Sequence, residues 1–405
     1  MPQFEYQARD SKGALVKGAL EAPDSRAAAS RLRGSGLTVL TLAQKRIPFG
    51  ISLGKLSLMR QKITTKDLAL FTRQFSTMLR SGISAVRCFS VLEEQARNAR
   101  FKEVIGTLRR DLEAGTSLSV SMARFPDVFS TLYQNMVAAG EVGGNLEEAL
   151  DRLATFSEKD IAMKGKIKNA LTYPIILLVL AVGVVVLLVT AVLPTFTSML
   201  YELEVPIPLP TRITIAVSNV LTGYWYVLIL IVVGGFWLLR RYIRKPQGKT
   251  NWDRFLMKLP VFGPLTQKTA ISRFTRTLAT LLQSGVPLLQ ALDVASRAVD
   301  NAVFSLEIQR IADGVREGNR MGALMAQSEL FPPIVVQMTT AGEESGALED
   351  LLTKVSGFYE QEVEYAVANL TATIEPVMLI FMGGIVGFIL ISLFLPYFAL
   401  LGGIK

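Results

Sequence analysis

The chain has 405 residues, of which 50% are hydrophobic and 19% are charged. This composition is too apolar for an ordinary soluble domain and indicates membrane-spanning segments joined to soluble parts. The absence of histidine excludes sites built on a histidine base or histidine metal ligands, and the single cysteine, Cys88, excludes an intrachain disulfide framework. The net charge of +9 favours cytoplasmic loops and contact with anionic lipid over direct binding of nucleic acid.

Residues 1–43 predict a small α+β domain. Phe4, Tyr6 and Ala8 alternate with polar residues, a turn is predicted at residues 10–13, and the chain returns as a second strand. Asp24 or Ser25 is expected to cap a short helix before a third strand. No signal peptide precedes this domain, so we expect the N-terminus to stay in the cytoplasm.

A basic linker, residues 44–66, follows with six basic and no acidic residues. It is interpreted either as flexible or as a segment that lies on anionic lipid headgroups.

Three uncharged segments, 175–193, 217–239 and 377–395, predict transmembrane helices. The first and third have 19 residues each, which as helices cover roughly 28 Å, close to the hydrocarbon thickness of a bilayer. Nine basic residues lie between Arg240 and Arg273, so this side is expected inside. The short loop 194–216 and the tail 396–405 are then external.

The chain contains an internal duplication, with matching residues 203 or 202 positions apart. We expect repeat 1 to occupy residues 67–174, and repeat 2 to lie with a basic linker in residues 240–376. Both units are expected in the cytoplasm, as bundles of about six helices each that run into parallel spans. The overall prediction is a mainly α membrane protein. The matched positions are Gly82 and Gly285; Ala139-Gly140-Glu141 and Ala341-Gly342-Glu343; Gly144 and Gly346; and Pro174 and Pro376.

Local signals in repeat 1 predict where its helices begin and end. Thr65, Ser84 and Ser117 are expected to cap helices, and Asn145 is expected to open the long helix that enters the membrane. The two Ala-Gly-Glu motifs are interpreted as structural turns in which small residues allow helices to approach closely. A plain helix end and a functional role are the alternatives.

Several motifs resemble catalytic sites, but their surroundings do not suit the chemistry. The G-x-S-x-G pattern at residues 50–54 lies in the basic linker and has no histidine to serve as its base. Residues 248–250 resemble the end of a phosphate-binding loop, but they follow a membrane helix and lack the first glycine. Cys88 is expected to be an inert packing residue. We therefore expect no catalytic residue, cofactor or metal site.

The spans contain no acidic or basic residue, and Glu375 beside the third span is the nearest exception. A coupled transporter normally needs such groups inside the membrane. A transporter or channel and a membrane-bound enzyme are therefore the less favoured classes.

The repeated Ala-Gly-Glu motifs, with residues 169–174 at the first span and residues 374–376 at the third, resemble the inner-membrane platform proteins of type IV pilus assembly and type II secretion, the PilC/GspF family. The resemblance covers nearly the whole chain. Residues 67–74 and 166–174 favour the pilus branch, with the type II secretion branch as the alternative.

This resemblance implies a non-enzymatic platform in the bacterial inner membrane, with lipid around it. Its implied partners are a hexameric cytoplasmic assembly ATPase, pilin subunits, other inner-membrane assembly components and a second copy in a homodimer. Basic residues in repeat 1 could steer an acidic partner, and Arg109 and Arg110 are the candidate ATPase contacts. A plain solvated face is the other interpretation of these charges.

Overall fold

The computed structural model describes residues 3–9, 15–44, 62–196, 208–260 and 262–402. The chain divides into two units, residues 1–62 and 63–405. The predicted turn at 10–13, the G-x-S-x-G pattern and most of the basic linker lie outside the described residues, as do positions 197–207 and 403–405.

The N-terminal unit has the predicted α+β architecture. Its described elements are β1 (Gln3–Arg9), β2 (Leu15–Glu21), α1 (Ser25–Gly34) and β3 (Thr38–Gln44). The strands form an antiparallel sheet in the order β2-β1-β3. Asp24 caps α1 by accepting a hydrogen bond from the backbone N–H of Ala27 at 2.7 Å.

Repeat 1 is a bundle of six helices, as predicted. A capping box fixes its start at Thr64 rather than Thr65, because Thr64 Oγ1 accepts from Asp67 N while the Asp67 carboxylate accepts from Thr64 N. The helices are α2 (Thr65–Arg80), α3 (Ala85–Gln95), α4 (Ala99–Glu113), α5 (Leu118–Ala123), α6 (Thr131–Gly143) and α7 (Leu146–Leu187).

The chain between the repeats is more helical than expected. Beyond α7 the helix continues through a π-helical segment, Leu188–Val192, to Phe196. Three helices then follow: α8 (Leu209–Gly223), α9 (Trp225–Ile243) and α10 (Pro246–Lys258). The loop predicted at 194–216 therefore contains helix over part of its described length, and α10 lies within the predicted second linker.

The second predicted span, 217–239, differs in its bounds because the helix breaks at Tyr224. The backbone there leaves the helical region, with φ −122° and ψ 23°, so the apolar helix is α9. The preceding helix α8 instead packs against the ends of α7 and of the last helix of the chain.

Repeat 2 reproduces repeat 1 helix by helix. Its members are α11 (Phe262–Gln283), α12 (Leu288–Ala298), α13 (Ala302–Arg316), α14 (Met321–Ala326), α15 (Pro333–Ser345) and α16 (Leu348–Gly402). The starts of α12, α13 and α14 lie 203 residues after their counterparts, and those of α15 and α16 lie 202 residues after. The residue missing from repeat 2 therefore falls in the connection before α15.

Each repeat has an aromatic core of its own. In repeat 1 the rings of Phe71 and Phe75 pack on Phe89, with centroids 5.9 and 4.8 Å apart. In repeat 2 Phe331 lies 5.8 Å from both Phe274 and Phe304. The two cores join into one continuous hydrophobic cluster. Cys88 is fully buried in that cluster, where burial raises the pKa of its thiol.

In the part of the chain that the structure describes, three helical segments are long and apolar enough to cross a membrane: Leu146–Phe196, Trp225–Ile243 and Leu348–Pro396. The first and third run without interruption from the bundles into the apolar region. Pro174 and Pro376 lie inside these helices rather than at boundaries, and α16 continues past residue 395 to Gly402.

The helices α7 and α16 pack in parallel. Ile167 lies in a cluster with Val363 and Val367, and Val189 lies in another with Ile389. Earlier residues of one long helix therefore contact earlier residues of the other, and later residues contact later residues. This is the parallel arrangement expected for a direct duplication.

Candidate functional surfaces

The glutamates of the two Ala-Gly-Glu motifs cap the short helix of each repeat. In repeat 1 the Glu141 carboxylate accepts hydrogen bonds from Leu118 N, and from Ser119 N at 3.1 Å. In repeat 2 Glu343 accepts from Met321 N at 2.7 Å and from Gly322 N at 2.8 Å. A negative carboxylate placed against free N–H groups at a helix N-terminus is favourable.

These bonds also correct one expectation about Ser117. This residue lies at the N-cap of α5, but its side chain forms no capping hydrogen bond. The first two N–H groups of α5, those of Leu118 and Ser119, donate instead to Glu141, which lies 23 positions after Leu118. Rules that consider only neighbouring residues cannot predict a cap that comes from so distant a residue.

The glycines of the motifs allow adjacent helices to approach each other. A Cβ atom on Gly140 would lie 2.8 Å from Ala149 Cβ and 3.0 Å from Leu146 Cα. A Cβ atom on Gly342 would lie 2.8 Å from Leu348 Cα. Distances this short are not tolerated between carbon atoms, so both positions need glycine.

The motifs are not turns, contrary to the prediction. Ala139-Gly140-Glu141 lies within α6 and Ala341-Gly342-Glu343 within α15. The chain turns afterwards, at Gly144 (φ 68°) and Gly346 (φ 70°), in the left-handed region that favours glycine. Gly82 and Gly285 occupy the same region after α2 and α11, with φ 80° at both.

An equivalent ion pair ties the first helix of each repeat to the long helix. Arg73 forms two hydrogen bonds to Glu158, Nε to Oε1 and Nη2 to Oε2, each of 2.7 Å. Its counterpart Arg276 donates to Glu360 at 2.9 Å. The hydrogen bonds from Arg73 hold the pKa of Glu158 below its ordinary value.

A second ion-pair cluster joins the two repeats to each other. Arg273 of α11 binds Asp160 of α7 at 2.5 Å and also pairs with Asp300. Burial pushes the pKa of Asp160 upward, but Arg273 and Lys164 more than offset burial, so the pKa is lowered. These side chains line a cavity of about 310 Å³ between the repeats.

Sequence reasoning missed this cluster, although one signal pointed to it. The position equivalent to Arg273 in repeat 1 is Leu70, so the duplication does not conserve charge there. A change of chemistry between matched positions indicates a contact that only one repeat makes.

The two candidate ATPase contacts have different surroundings. Arg109 is held inside repeat 1, where Nε donates to Glu93 at 2.9 Å and Nη1 to Glu113 at 2.8 Å. These hydrogen bonds raise the pKa of its guanidinium group. Arg110 is exposed and donates to Thr107 at 3.2 Å, a residue on the same helix. Of the two, Arg110 is the better placed to meet a partner.

Hydroxyl groups on α8 hold the distal ends of α7 and α16 together. Ser218 Oγ donates to the carbonyl oxygen of Val189 at 2.7 Å, within the π-helical segment. Thr211 Oγ1 donates to the carbonyl oxygen of Ser392 at 2.6 Å. Such hydrogen bonds join helices where the surroundings are apolar.

In the residues that the structure describes, no group of three or more cysteine and carboxylate side chains is arranged to hold a metal ion. The described residues form two helical bundles that are joined to each other and continue into apolar helices.

Comparison with known proteins agrees with this architecture. The family model described as type II secretion system (T2SS), protein F matches residues 71–194 and again residues 274–396. The model of the N-terminal domain of the same protein matches residues 1–43.

Similar curated proteins cover almost the entire chain. The type IV pilus assembly protein PilC of Thermus thermophilus is 42% identical over 99% of both chains. PilC of Myxococcus xanthus is 37% identical over 100% of this chain and 96% of its own. The type II secretion system protein F of Vibrio cholerae is 31% identical over 98% of both. The chain therefore belongs to the type II secretion system protein F family, which includes the type IV pilus assembly proteins PilC.

Proposed function

We propose that this protein is the non-enzymatic membrane platform of a type IV pilus assembly machine, in which it couples a cytoplasmic assembly ATPase to the insertion of pilin subunits into the filament. The observation that carries the proposal is the 42% identity to a type IV pilus assembly protein over 99% of both chains. Similarity to type II secretion system protein F of Vibrio cholerae is lower, at 31%. The pilus role is therefore favoured over the secretion role.

The proposed location is the bacterial inner membrane, with the N-terminus and both bundles in the cytoplasm. Parallel packing of α7 and α16 supports placing both bundles on one side. Three arginines at the C-terminal end of α9, Arg240, Arg241 and Arg244, support the inner side for that end. Arg241 also lies over the ring of Trp237, 5.5 Å from its centroid, a pairing suited to a membrane interface.

The proposed coupling uses the continuity of the long helices. The 55 residues of α16 correspond to a rod of roughly 80 Å that reaches from bundle to membrane. A displacement imposed on a bundle by the ATPase would pass along this rod to the apolar helices, where pilin subunits would be engaged.

Deleting the gene from its own organism tests the proposal. We expect surface pili to disappear and a plasmid copy to restore them. Loss of secreted proteins with normal piliation would favour the secretion role instead. Normal piliation and normal secretion would contradict both.

A further inference from the structure

Basic residues are concentrated where α9 leaves its apolar segment and the chain continues into α10. Between residues 240 and 258 the chain has seven basic residues and one acidic residue, Asp253. All seven basic side chains are exposed, and none has an ion-pair partner in the described part of the chain: Arg240, Arg241, Arg244, Lys245, Lys249, Arg254 and Lys258. The next basic residues along the chain, Lys268 and Arg273, each pair with a carboxylate. The positive charge at this place is therefore available to a partner outside the described chain.

The one acidic residue in this stretch does not neutralise the basic residues around it. Asp253 is only 9% exposed, and its carboxylate accepts a hydrogen bond from Ala302 N at 2.7 Å. Ala302 is the first residue of α13, so the carboxylate faces the N-terminus of that helix, where negative charge is favourable. The same hydrogen bond ties α10, and with it the basic residues, to repeat 2.

The depth of the basic residues in the membrane follows from α9. No residue of α9 is buried by the rest of the described chain, so its apolar side chains are available to lipid. Arg240 comes directly after the uncharged segment 217–239, which places it where the hydrocarbon ends. Arg241 lies 5.5 Å from the ring of Trp237, and tryptophan is enriched at the level of the headgroups. The first basic residues therefore lie at the depth of the lipid phosphates.

The corner between α9 and α10 holds the basic residues on its two sides in a fixed arrangement. The helices meet at Lys245, whose backbone is extended, with φ −80° and ψ 141°. A Cβ atom on Gly248 would collide with the carbonyl oxygen of Tyr242, so the two helices are in close contact there. Asn251 Nδ2 also donates to the Tyr242 hydroxyl at 3.1 Å. A signal that only orients the helix during insertion needs the charges but not this fixed corner.

We propose that this corner binds the phosphate headgroups of anionic phospholipid. The binding residues, which we call the corner patch, are Arg240, Arg241, Arg244, Lys245 and Lys249. A lipid phosphate presents negative charge and several acceptor oxygens, which guanidinium and ammonium groups bind through charge-assisted hydrogen bonds. The occupant is a lipid because the patch begins where an apolar helix exposed to lipid ends.

This inference rests on the membrane location given under the proposed function, with this end of α9 at the cytoplasmic surface. Anionic lipid gives that surface a negative potential, which attracts basic segments next to a membrane helix. Because α10 is tied to repeat 2 through Asp253, lipid bound at the corner patch anchors repeat 2 to the membrane surface.

Lipid binding to the purified full-length protein tests the site. The protein in neutral detergent is titrated with phosphatidylglycerol, or with phosphatidylcholine that has the same acyl chains, and native mass spectrometry counts the bound lipid. We expect phosphatidylglycerol to bind at least about tenfold more tightly. The triple variant Arg240→Gln, Arg244→Gln, Lys249→Gln should lose about fivefold in this affinity for each charge removed, because each basic residue near an anionic surface contributes about that factor.

The matched control is the triple variant Arg87→Gln, Arg97→Gln, Lys102→Gln in repeat 1. It also removes three exposed charges that have no ion-pair partner in the described residues, and it should bind phosphatidylglycerol as the parent does. Both triple variants change exposed side chains, so both should keep the parent unfolding temperature. Equal affinity of the parent for the two lipids would overturn the proposal, and so would an equal loss of affinity in the two triple variants.

Quenching of tryptophan fluorescence in lipid nanodiscs tests the position of the site. The chain has three tryptophans, so a Trp225→Phe, Trp252→Phe background leaves only Trp237, beside Arg241. Brominated phosphatidylglycerol should quench Trp237 more strongly than brominated phosphatidylcholine at the same mole fraction. In a Trp237→Phe, Trp252→Phe background the two lipids should quench equally, because no basic residue lies within ten positions of Trp225. Equal quenching of Trp237 by the two lipids would overturn the proposal.

Inorganic phosphate distinguishes a lipid site from a site for a free anion. When phosphate replaces chloride at constant ionic strength, the affinity for phosphatidylglycerol should not change. Displacement of the lipid by phosphate would assign the corner patch to a free anion and overturn the proposal. Nanodiscs present the same lipid on both faces, so these results depend neither on the orientation of the protein nor on piliation. Failure here therefore leaves the proposed function untouched, and normal piliation without the gene would leave the lipid site untouched.

Discussion

Glu343 lies 2.7 Å from the backbone nitrogen of Met321, a residue 22 positions earlier in the chain. The carboxylate ties the end of α15 to the start of α14, and Glu141 does the same in repeat 1. The capping interaction therefore occurs in both repeats. It links two helices whose contact no local sequence signal predicts.

Replacing Glu343 by glutamine should destabilise the protein by about 1 kcal/mol, the usual magnitude for loss of a capping interaction. Glu344→Gln is a matched control, since Glu344 is exposed and its ion pair with Arg320 is on the surface. The midpoint of thermal unfolding, measured on the full chain in detergent, should fall for Glu343→Gln and stay near the parent value for Glu344→Gln. Equal midpoints for the two variants would show that the cap contributes no stability.

Gly140→Ala should destabilise the protein by about 1–3 kcal/mol, because the added methyl group meets Ala149 and Leu146 in a packed contact. The matched control is Gly165→Ala in α7, where a Cβ atom would have no neighbour within 4 Å. Alanine has the higher helix propensity, so this control should raise stability by up to about 1 kcal/mol. A Gly140→Ala protein that unfolds at or above the parent temperature would exclude close packing as the reason for this glycine.

Acid should weaken the contact between the repeats through Asp160. Its pKa is lower in the folded protein than in the unfolded chain, so its stabilising contribution is complete above the unfolded value of about 4 and is lost as pH falls through the folded value. Asp160→Asn should therefore cost about 1.5–3 kcal/mol at pH 7. The difference between parent and variant in unfolding temperature should shrink below about pH 4.

The control for this pH series is Asp313→Asn, which alters an exposed ion pair with Arg316. It should change the unfolding temperature little across the whole series. A parent–Asp160→Asn difference that stayed constant from neutral to acid pH would show that the charge of Asp160 does not stabilise the contact.

Single-cysteine labelling tests the proposed orientation in the membrane. In a Cys88→Ser background we expect a membrane-impermeant thiol reagent to label Ser198→Cys from outside in intact cells. Gln309→Cys on α13 is exposed in the fold and should be labelled only after the cells are opened. Labelling of Gln309→Cys in intact cells would place repeat 2 outside and contradict the orientation.

The sequence predicted the parts of this fold that depend on local signals and on repetition. The offset of 203 that changes to 202 holds for the starts of α12 to α16, and Gly82 and Gly144 adopt the left-handed backbone that ends their helices. The offset follows from the duplication, and the two glycines follow from residue chemistry that acts within a few positions.

The parts that the sequence did not predict depend on distant neighbours. The break at Tyr224 and the π-helical segment at Leu188–Val192 lie where α8 packs against two other helices. Asp253 of α10 accepts a hydrogen bond from Ala302 N at 2.7 Å, a cap supplied from a segment predicted to be a linker. The hydrophobic pattern of a sequence predicts that a helix forms, but it does not predict which helix it packs against.

Arg110→Glu should weaken binding of the assembly ATPase without altering membrane insertion, because it reverses an exposed charge that makes no ion pair in the described residues. Arg109 is unsuitable for this test, since Arg109→Glu would place a third carboxylate beside those of Glu93 and Glu113. Arg254→Glu, an exposed position on α10, controls for the change in net charge. Equal ATPase binding by the Arg110→Glu and Arg254→Glu proteins would place the contact elsewhere.

Binding of the purified assembly ATPase from the same organism to this protein in lipid nanodiscs is the most direct measurement of the proposed coupling. We expect saturable binding at low ionic strength that weakens as salt is raised, since exposed charges are screened beyond about 10 Å at 0.1 M salt. Empty nanodiscs should bind none. No binding of a catalytically active ATPase to the parent protein at low salt would contradict the proposed coupling.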